Sequence, residues 1–150
     1  MNKLWSYAPI NIDAGLLILR VAAGLLVAVN HGWGKVERFM SGEAIKFYDF
    51  GGIGPQASLG LAAFAEFVCA LLVVLGLFHR LALIPLVITF IVAAFMANAD
   101  ATLADREPAL AYLFVFVTLL LTGPGKYSVD AARAGEPDED KDPSPRSVIQ

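Results

Sequence analysis

The sequence has little charge and almost no cysteine. Asp, Glu, Lys and Arg make up 17% of its 150 residues, whereas an ordinary soluble domain has about 25%. The single cysteine, Cys69, excludes an intramolecular disulfide, a CxxC redox pair and a cysteine-rich metal site. The formal net charge of −3 gives no general basic surface for nucleic acid. With 57% hydrophobic residues, the chain is either a compact hydrophobic soluble domain or a small membrane protein.

The apolar residues fall into four long blocks, at 12–30, 57–78, 81–97 and 109–122. The blocks are rich in Leu and Ala and lack the alternation of strands, which favours helices. About 20 mainly apolar residues cross a bilayer core. We therefore predict an all-α membrane protein, a four-transmembrane-helix bundle with helices at about 12–33, 57–78, 81–97 and 107–123. The alternative is an all-α soluble protein with fully buried helices.

The remaining segments carry most of the charge. The link between the first two helices mixes charged and aromatic residues, which predicts an interfacial segment. Asp13 and Arg20 interrupt the first apolar block, so we expect a retained helix rather than a cleaved signal peptide. The transmembrane domain covers residues 1–133, and the charged, proline-rich tail at 134–150 is predicted to be disordered.

Four spans place both termini on one side of the membrane, called side A here; the opposite side is side B. Side A has five Lys or Arg residues near helix ends, namely Lys3, Arg80, Lys126, Arg133 and Lys141. Side B has four, namely Lys35, Arg38, Lys46 and Arg106. Because basic residues favour the cytoplasmic side, this small excess predicts cytoplasmic termini.

Two charges lie deep within the predicted spans. Arg20 is about 16 Å from the side-B end of the first helix, taken at His31. Glu66 is about 13 Å from the same end of the second helix, taken at Ala57. Because an isolated charge inside a membrane is costly, we predict that Arg20 pairs with Glu66. The pair either fixes the register of the two helices or lines a ligand or proton site.

More polar residues are expected toward side B. His31 and Lys35 continue the helical face of Arg20 and Gly24. A polar funnel open to side B is predicted above the Arg20–Glu66 pair, lined by His31, Lys35, Asn98, Asp100 and Glu107. Alternatively, these residues are ordinary interfacial groups that face water. Gly24 and Ala28 also give a partial small-xxx-small signal for close helix packing.

Common cofactor and catalytic motifs are missing. The only two histidines, His31 and His79, are predicted near opposite sides of the membrane, which argues against a haem with two axial histidines. HExxH, P-loop and GxSxG motifs do not occur. The sequence therefore predicts no metal site and no intrinsic cofactor.

The chain resembles the DoxX family of small four-helix bacterial membrane proteins between about residues 17 and 130. The resemblance includes Glu66 and the segments LRVAAGLLVAVNHGWGK, LGLFHR, REPALAYL and GPGKYSVD. It implies a location in the bacterial inner membrane. Some members are associated with quinone-linked oxidoreductases, including thiosulfate:quinone oxidoreductase, or with membrane complexes that handle oxidative stress. The family has no agreed set of catalytic residues.

Three functions remain open at this point. In the first, the chain is a subunit of a quinone-linked system. Arg20 or His31 would then donate a hydrogen bond to a bound quinone, and Glu66 would hold Arg20 or relay protons. A partner redox protein would supply the redox centre. In the second, the chain is a non-enzymatic scaffold. In the third, a homo-oligomer conducts a small solute or protons through the funnel.

Overall fold

A computed structural model describes residues 10–42 and 44–135. These residues form four long helices and one short helix, with no strand among them. The helices are α1, Ile12–Met40; α2, Pro55–Leu75; α3, His79–Ala97; α4, Leu103–Thr122; and α5, Val129–Ala134. The predicted all-α fold is confirmed. Most of the predicted disordered tail, residues 136–150, lies outside the described residues, as do Lys3 and Lys141.

Three of the four long helices, α1 to α3, are long and apolar enough to cross a membrane. The fourth has 20 residues, but Asp105, Arg106 and Glu107 lie near its beginning. Its apolar part begins at Ala109. α4 therefore presents a charged beginning at side B and an apolar body beside the other three helices.

The helix α1 is longer than the sequence suggested. It begins after Asn11, whose side chain accepts a hydrogen bond from the Ala14 amide at 3.0 Å. It then continues to Met40 rather than ending near residue 33. Its 29 residues span about 43 Å at 1.5 Å per residue, more than the roughly 30 Å of a bilayer core. The last two turns, Trp33–Met40, have a polar and an apolar face, so charged residues there do not end the helix.

Local signals fix both ends of α2. Gly54, with a φ of 94°, and Pro55 begin the helix, and Asp49 accepts a hydrogen bond from the Gly54 amide at 2.8 Å. At the other end Gly76 adopts a left-handed conformation with a φ of 65°. The Leu77 amide then donates to the Leu72 carbonyl at 3.0 Å, which is the Schellman arrangement of a helix C-terminus.

Small residues bring the backbones of α1 and α2 together. A Cβ atom on Gly24 would lie 2.9 Å from the Ala70 carbonyl oxygen, and one on Gly32 would lie 2.5 Å from the Glu66 carbonyl oxygen. Ala28, between them, is buried. The partial small-xxx-small signal of the sequence thus corresponds to a continuous contact, extended by Gly32. Such contacts are typical of helix pairs in membranes, where close van der Waals packing replaces the hydrophobic effect.

The four long helices form a ring in chain order. α2 packs between α1 and α3, and α3 packs closely along α4. The buried core includes Val27, Val73, Leu83, Leu86 and Phe116. α1 and α4 close the ring with the smallest of the four contacts. The α1–α4 seam is therefore the loosest side of the bundle.

Residues 123–134, here called the C-terminal clasp, fold back over the side-A end of the bundle. The Asp130 carboxylate accepts hydrogen bonds from the amides of Phe78 and His79, at 2.9 and 2.8 Å. Asp13 accepts one from the Lys126 amide at 2.9 Å. The clasp thus joins the beginning of α1 to the beginning of α3.

Replacing Gly32 with alanine should destabilise the bundle, because the added methyl group would force the α1 and α2 backbones apart. We expect a loss of about 1–3 kcal/mol in the free energy of unfolding, the usual cost of overpacking. Thermal unfolding of the purified protein in a mild detergent measures it. Gly34→Ala is the matched control, because a Cβ atom there meets nothing within 4 Å. Equal stability of the two variants would contradict the close approach.

Candidate functional site

A buried ion pair joins α1 to α2 toward side B. Lys35 Nζ donates to Glu66 Oε2 and lies 3.4 Å from the carbonyl oxygen of His31. The Glu66 side chain is 5% exposed and that of Lys35 is 21% exposed. It is the only salt bridge within the described part of the chain. The pair therefore supplies a carboxylate and an ammonium group that are largely shielded from solvent.

Widened turns carry two of these residues. His31 lies in the π-helical turn Ala28–Gly32 of α1, and Glu66 lies in the π-helical turn Phe64–Cys69 of α2. The two turns pack against each other, with Gly32 at the Glu66 backbone. π-helical turns inside α-helices are frequent at functional sites. Here they bring the His31 backbone and the Glu66 side chain within reach of the same Lys35 ammonium group.

His31, whose backbone carbonyl lies 3.4 Å from Lys35 Nζ, also carries a ring that contacts α3 and α4. The His31 ring makes edge contacts with Tyr112, at 5.6 Å between centroids, and with Phe90, at 6.5 Å. Tyr112 in turn stacks on Phe116 at 6.3 Å. The contact between His31 and Tyr112 closes the α1–α4 seam at this level. Lys35, Glu66, His31, Phe90 and Tyr112 are together called the Lys35–Glu66 site below.

The predicted pairing of Arg20 with Glu66 is wrong. Glu66 bonds Lys35, and the Arg20 guanidinium lies beside Val74 and Gly76, at the opposite end of α2. The predicted depth of Arg20 in the membrane was wrong because α1 was taken to end near His31, whereas it continues to Met40. Gly32, rather than Arg20, therefore lies level with Glu66.

Arg20 has a different role, as the anchor of the C-terminal clasp. Its side chain is 1% exposed, and its Nη1 donates to the Val74 carbonyl at 3.2 Å. Its Nη2 donates to the Tyr127 carbonyl. Only a glycine fits at position 76, because a Cβ atom there would overlap the guanidinium. Arg20 thus joins α1, the end of α2 and the clasp through backbone carbonyls.

The remaining predicted residues are not gathered around the ion pair. Asn98, Asp100 and Glu107 are exposed near the turn between α3 and α4. Asn98 Nδ2 donates to the Ala93 carbonyl at 2.7 Å, which closes the end of α3. The predicted funnel is therefore reduced to His31 and Lys35, and the alternative of ordinary interfacial groups describes the other three residues.

Two members of the Lys35–Glu66 site were not predicted from the sequence. Phe90 and Tyr112 come from α3 and α4, and within an apolar helix an aromatic residue is usually part of the core. Their relation to His31 depends on the rotation of three helices about their axes, which no local pattern reports. Within residues 10–42 and 44–135, no group of three His, Cys, Asp or Glu side chains is placed to hold a metal ion.

Removing one partner of the ion pair should cost more stability than removing both. Lys35→Met or Glu66→Gln alone leaves the remaining group buried without its partner, and we expect a loss of about 3 kcal/mol for each. The double variant should lose less than either single variant, because neither buried charge then remains without its partner. Thermal unfolding in detergent completes this double-mutant cycle, with the exposed Glu37→Gln as the control. Additive losses would show that the two groups do not interact.

Comparison with known proteins identifies the family. No curated protein and no solved structure matches the chain. The model of the DoxX family matches residues 15–99, a stretch that contains most of α1, all of α2 and α3, and both partners of the ion pair. That match covers more than half of the 150 residues, and DoxX is a membrane family. The chain belongs to the DoxX family and is a membrane protein.

Proposed function

We propose that this DoxX-family protein is an accessory subunit of a quinone-linked oxidoreductase system and docks a quinone at the Lys35–Glu66 site. The observations that carry the proposal are the buried Lys35–Glu66 pair, whose ammonium group also reaches the His31 carbonyl, and the contact of the His31 ring with Tyr112 at the α1–α4 seam. The chain brings no haem, flavin or iron–sulfur motif in its sequence. A partner redox protein would therefore oxidise or reduce the bound quinone.

The chemistry of the site suits a quinone headgroup. A quinone has two carbonyl oxygens on a flat apolar ring, so it needs hydrogen-bond donors beside aromatic surfaces. The imidazole of His31, the hydroxyl of Tyr112 and the ammonium of Lys35 are donors, and Phe90 supplies a further ring 5.4 Å from that of Tyr112. Glu66 is a proton acceptor next to Lys35.

The position of the site suits a ligand that arrives through the lipid. The α1–α4 seam has the smallest helix–helix contact of the ring, and the His31 and Tyr112 rings meet across it. Both residues are only partly buried. A small movement of these two rings would open the site sideways toward the bilayer, where quinones dissolve.

Quinone binding should be measurable through the fluorescence of Trp33, two residues from His31. Trp5→Phe leaves Trp33 as the single tryptophan, and quinones quench indole fluorescence. We expect saturable quenching by decylubiquinone, and an affinity at least about tenfold weaker in His31→Gln and in Glu66→Gln. A tenfold change corresponds to about 1.4 kcal/mol, near the upper end of what one ordinary hydrogen bond contributes.

Glu37→Gln is the matched control, because it removes an exposed carboxylate from the same helix. It should bind decylubiquinone like the parent protein. Quenching that never saturates, or that is equal in all variants, would overturn the proposal. If the protein binds no quinone but the same membrane protein co-purifies with it in every preparation, the result would favour the scaffold function instead.

We also propose that the protein crosses the bacterial inner membrane several times, with both termini in the cytoplasm. The structure favours this orientation more than the sequence did, because Lys35 is bound to Glu66 and is not a free loop charge. Side B then retains only Arg38, Lys46 and Arg106 as basic residues near helix ends, against five on side A. Basic residues near helix ends favour the cytoplasmic side.

Reporter fusions test the orientation directly. A green fluorescent protein at the C-terminus should fluoresce, because it folds in the cytoplasm. Alkaline phosphatase inserted in the exposed loop at Gly52 should be active, because that enzyme needs the periplasm. A C-terminal fusion without fluorescence, together with an inactive loop insertion, would show the opposite orientation.

A further inference from the structure

A shallow groove opens at the side-A rim of the bundle, between the beginning of α3 and the end of α4. It measures about 340 Å³ and is lined by Phe78, His79, Arg80, Leu81, Pro124 and Asp130. His79 is buried, while Phe78, Arg80 and Leu81 are exposed. The groove thus offers an exposed guanidinium beside exposed apolar side chains.

Three cations and two carboxylates lie on the rim that carries this groove. Arg80 has no hydrogen bond or ion pair among the described residues. Arg133 lies over the Phe78 ring at 5.7 Å, and Lys126 lies over the Tyr127 ring at 5.1 Å. The two carboxylates on this rim, Asp13 and Asp130, accept hydrogen bonds from backbone amides instead. The rim therefore has three exposed positive charges without a carboxylate partner in the described structure.

An apolar stripe continues from the groove along the outer face of α3. It consists of exposed side chains spaced three and four residues apart, namely Leu81, Ile84, Ile88, Ile91 and Phe95. This spacing places them on one helical face. Leu81 belongs both to the groove and to the stripe. The positively charged rim is therefore continuous with an apolar surface that extends into the bilayer.

We infer that the groove is a binding site for an anionic phospholipid. The phosphate of the headgroup lies against Arg80, within reach of Arg133, and an acyl chain runs along the stripe of α3. Basic pockets between transmembrane helices are known to hold anionic headgroups. A zwitterionic lipid fits the apolar stripe equally well, but its own cation opposes the positive rim. The site therefore selects for net negative charge.

Native mass spectrometry of the full chain in mild detergent tests this inference. Phosphatidylglycerol and phosphatidylcholine with identical acyl chains are added in equal amounts. We expect at least fivefold more bound phosphatidylglycerol than phosphatidylcholine, on the order of what one charge contact gives. Arg80→Gln should remove the preference, and Arg80→Lys should retain most of it. Arg38→Gln, which removes a positive charge at the opposite rim, should leave it unchanged.

Any of the following results would overturn the inference. Equal binding of the two lipids, or an unchanged preference in Arg80→Gln, would show that Arg80 does not select the headgroup. Displacement of phosphatidylglycerol by an equal concentration of inorganic phosphate would make this a free-anion site. The sequence after Gly135 contains several acidic residues. If the preference appears only after deletion of residues 136–150, that segment covers the cations in the full chain.

Discussion

The close approach of α1 and α2 is the constraint on which the rest of the structure depends. At Gly24 and Gly32 an added Cβ atom would lie within 2.9 Å of an α2 carbonyl oxygen, so even one methyl group would disturb this register. This register places Lys35 opposite Glu66 and Arg20 opposite the end of α2. In lipid, where apolar surfaces gain nothing by leaving the solvent, such close packing is a main source of helix association.

The two buried charges of the first two helices are stabilised in different ways. Glu66 has a partner of opposite sign, Lys35, so the field of the pair falls off quickly with distance. Arg20 instead uses carbonyl oxygens of α2 and of the clasp. The α2 carbonyl lies near the C-terminus of that helix, where unpaired carbonyls and the helix dipole favour a cation. The first arrangement joins two ionisable side chains to each other, whereas the second joins a cation to the backbone of two segments.

The sequence was sufficient to predict that four long helices form and to select Lys35, His31 and Glu66 as candidate site residues. Long apolar blocks identified all four helices, and Lys35, His31 and Glu66 were among the predicted site residues. Their partners could not be predicted, because the amphipathic turns after Trp33 resemble an interfacial loop in composition. The helix α1 continues seven residues, or about 10 Å, beyond its predicted end, and this added part contains Lys35, the partner of Glu66. Contacts such as Arg20 to Tyr127, which are distant along the chain, leave no local pattern.

The anchoring of the clasp by Arg20 has a consequence for biosynthesis. The two hydrogen-bond acceptors of Arg20 lie 54 and 107 residues later in the chain. At about 5–20 residues per second, the ribosome adds Tyr127 roughly 5–20 s after Arg20. Throughout that interval α1 contains an arginine that lacks at least one of its two final acceptors. The nascent helix therefore needs water, a lipid phosphate or the insertion machinery to solvate this guanidinium until the last helix has arrived.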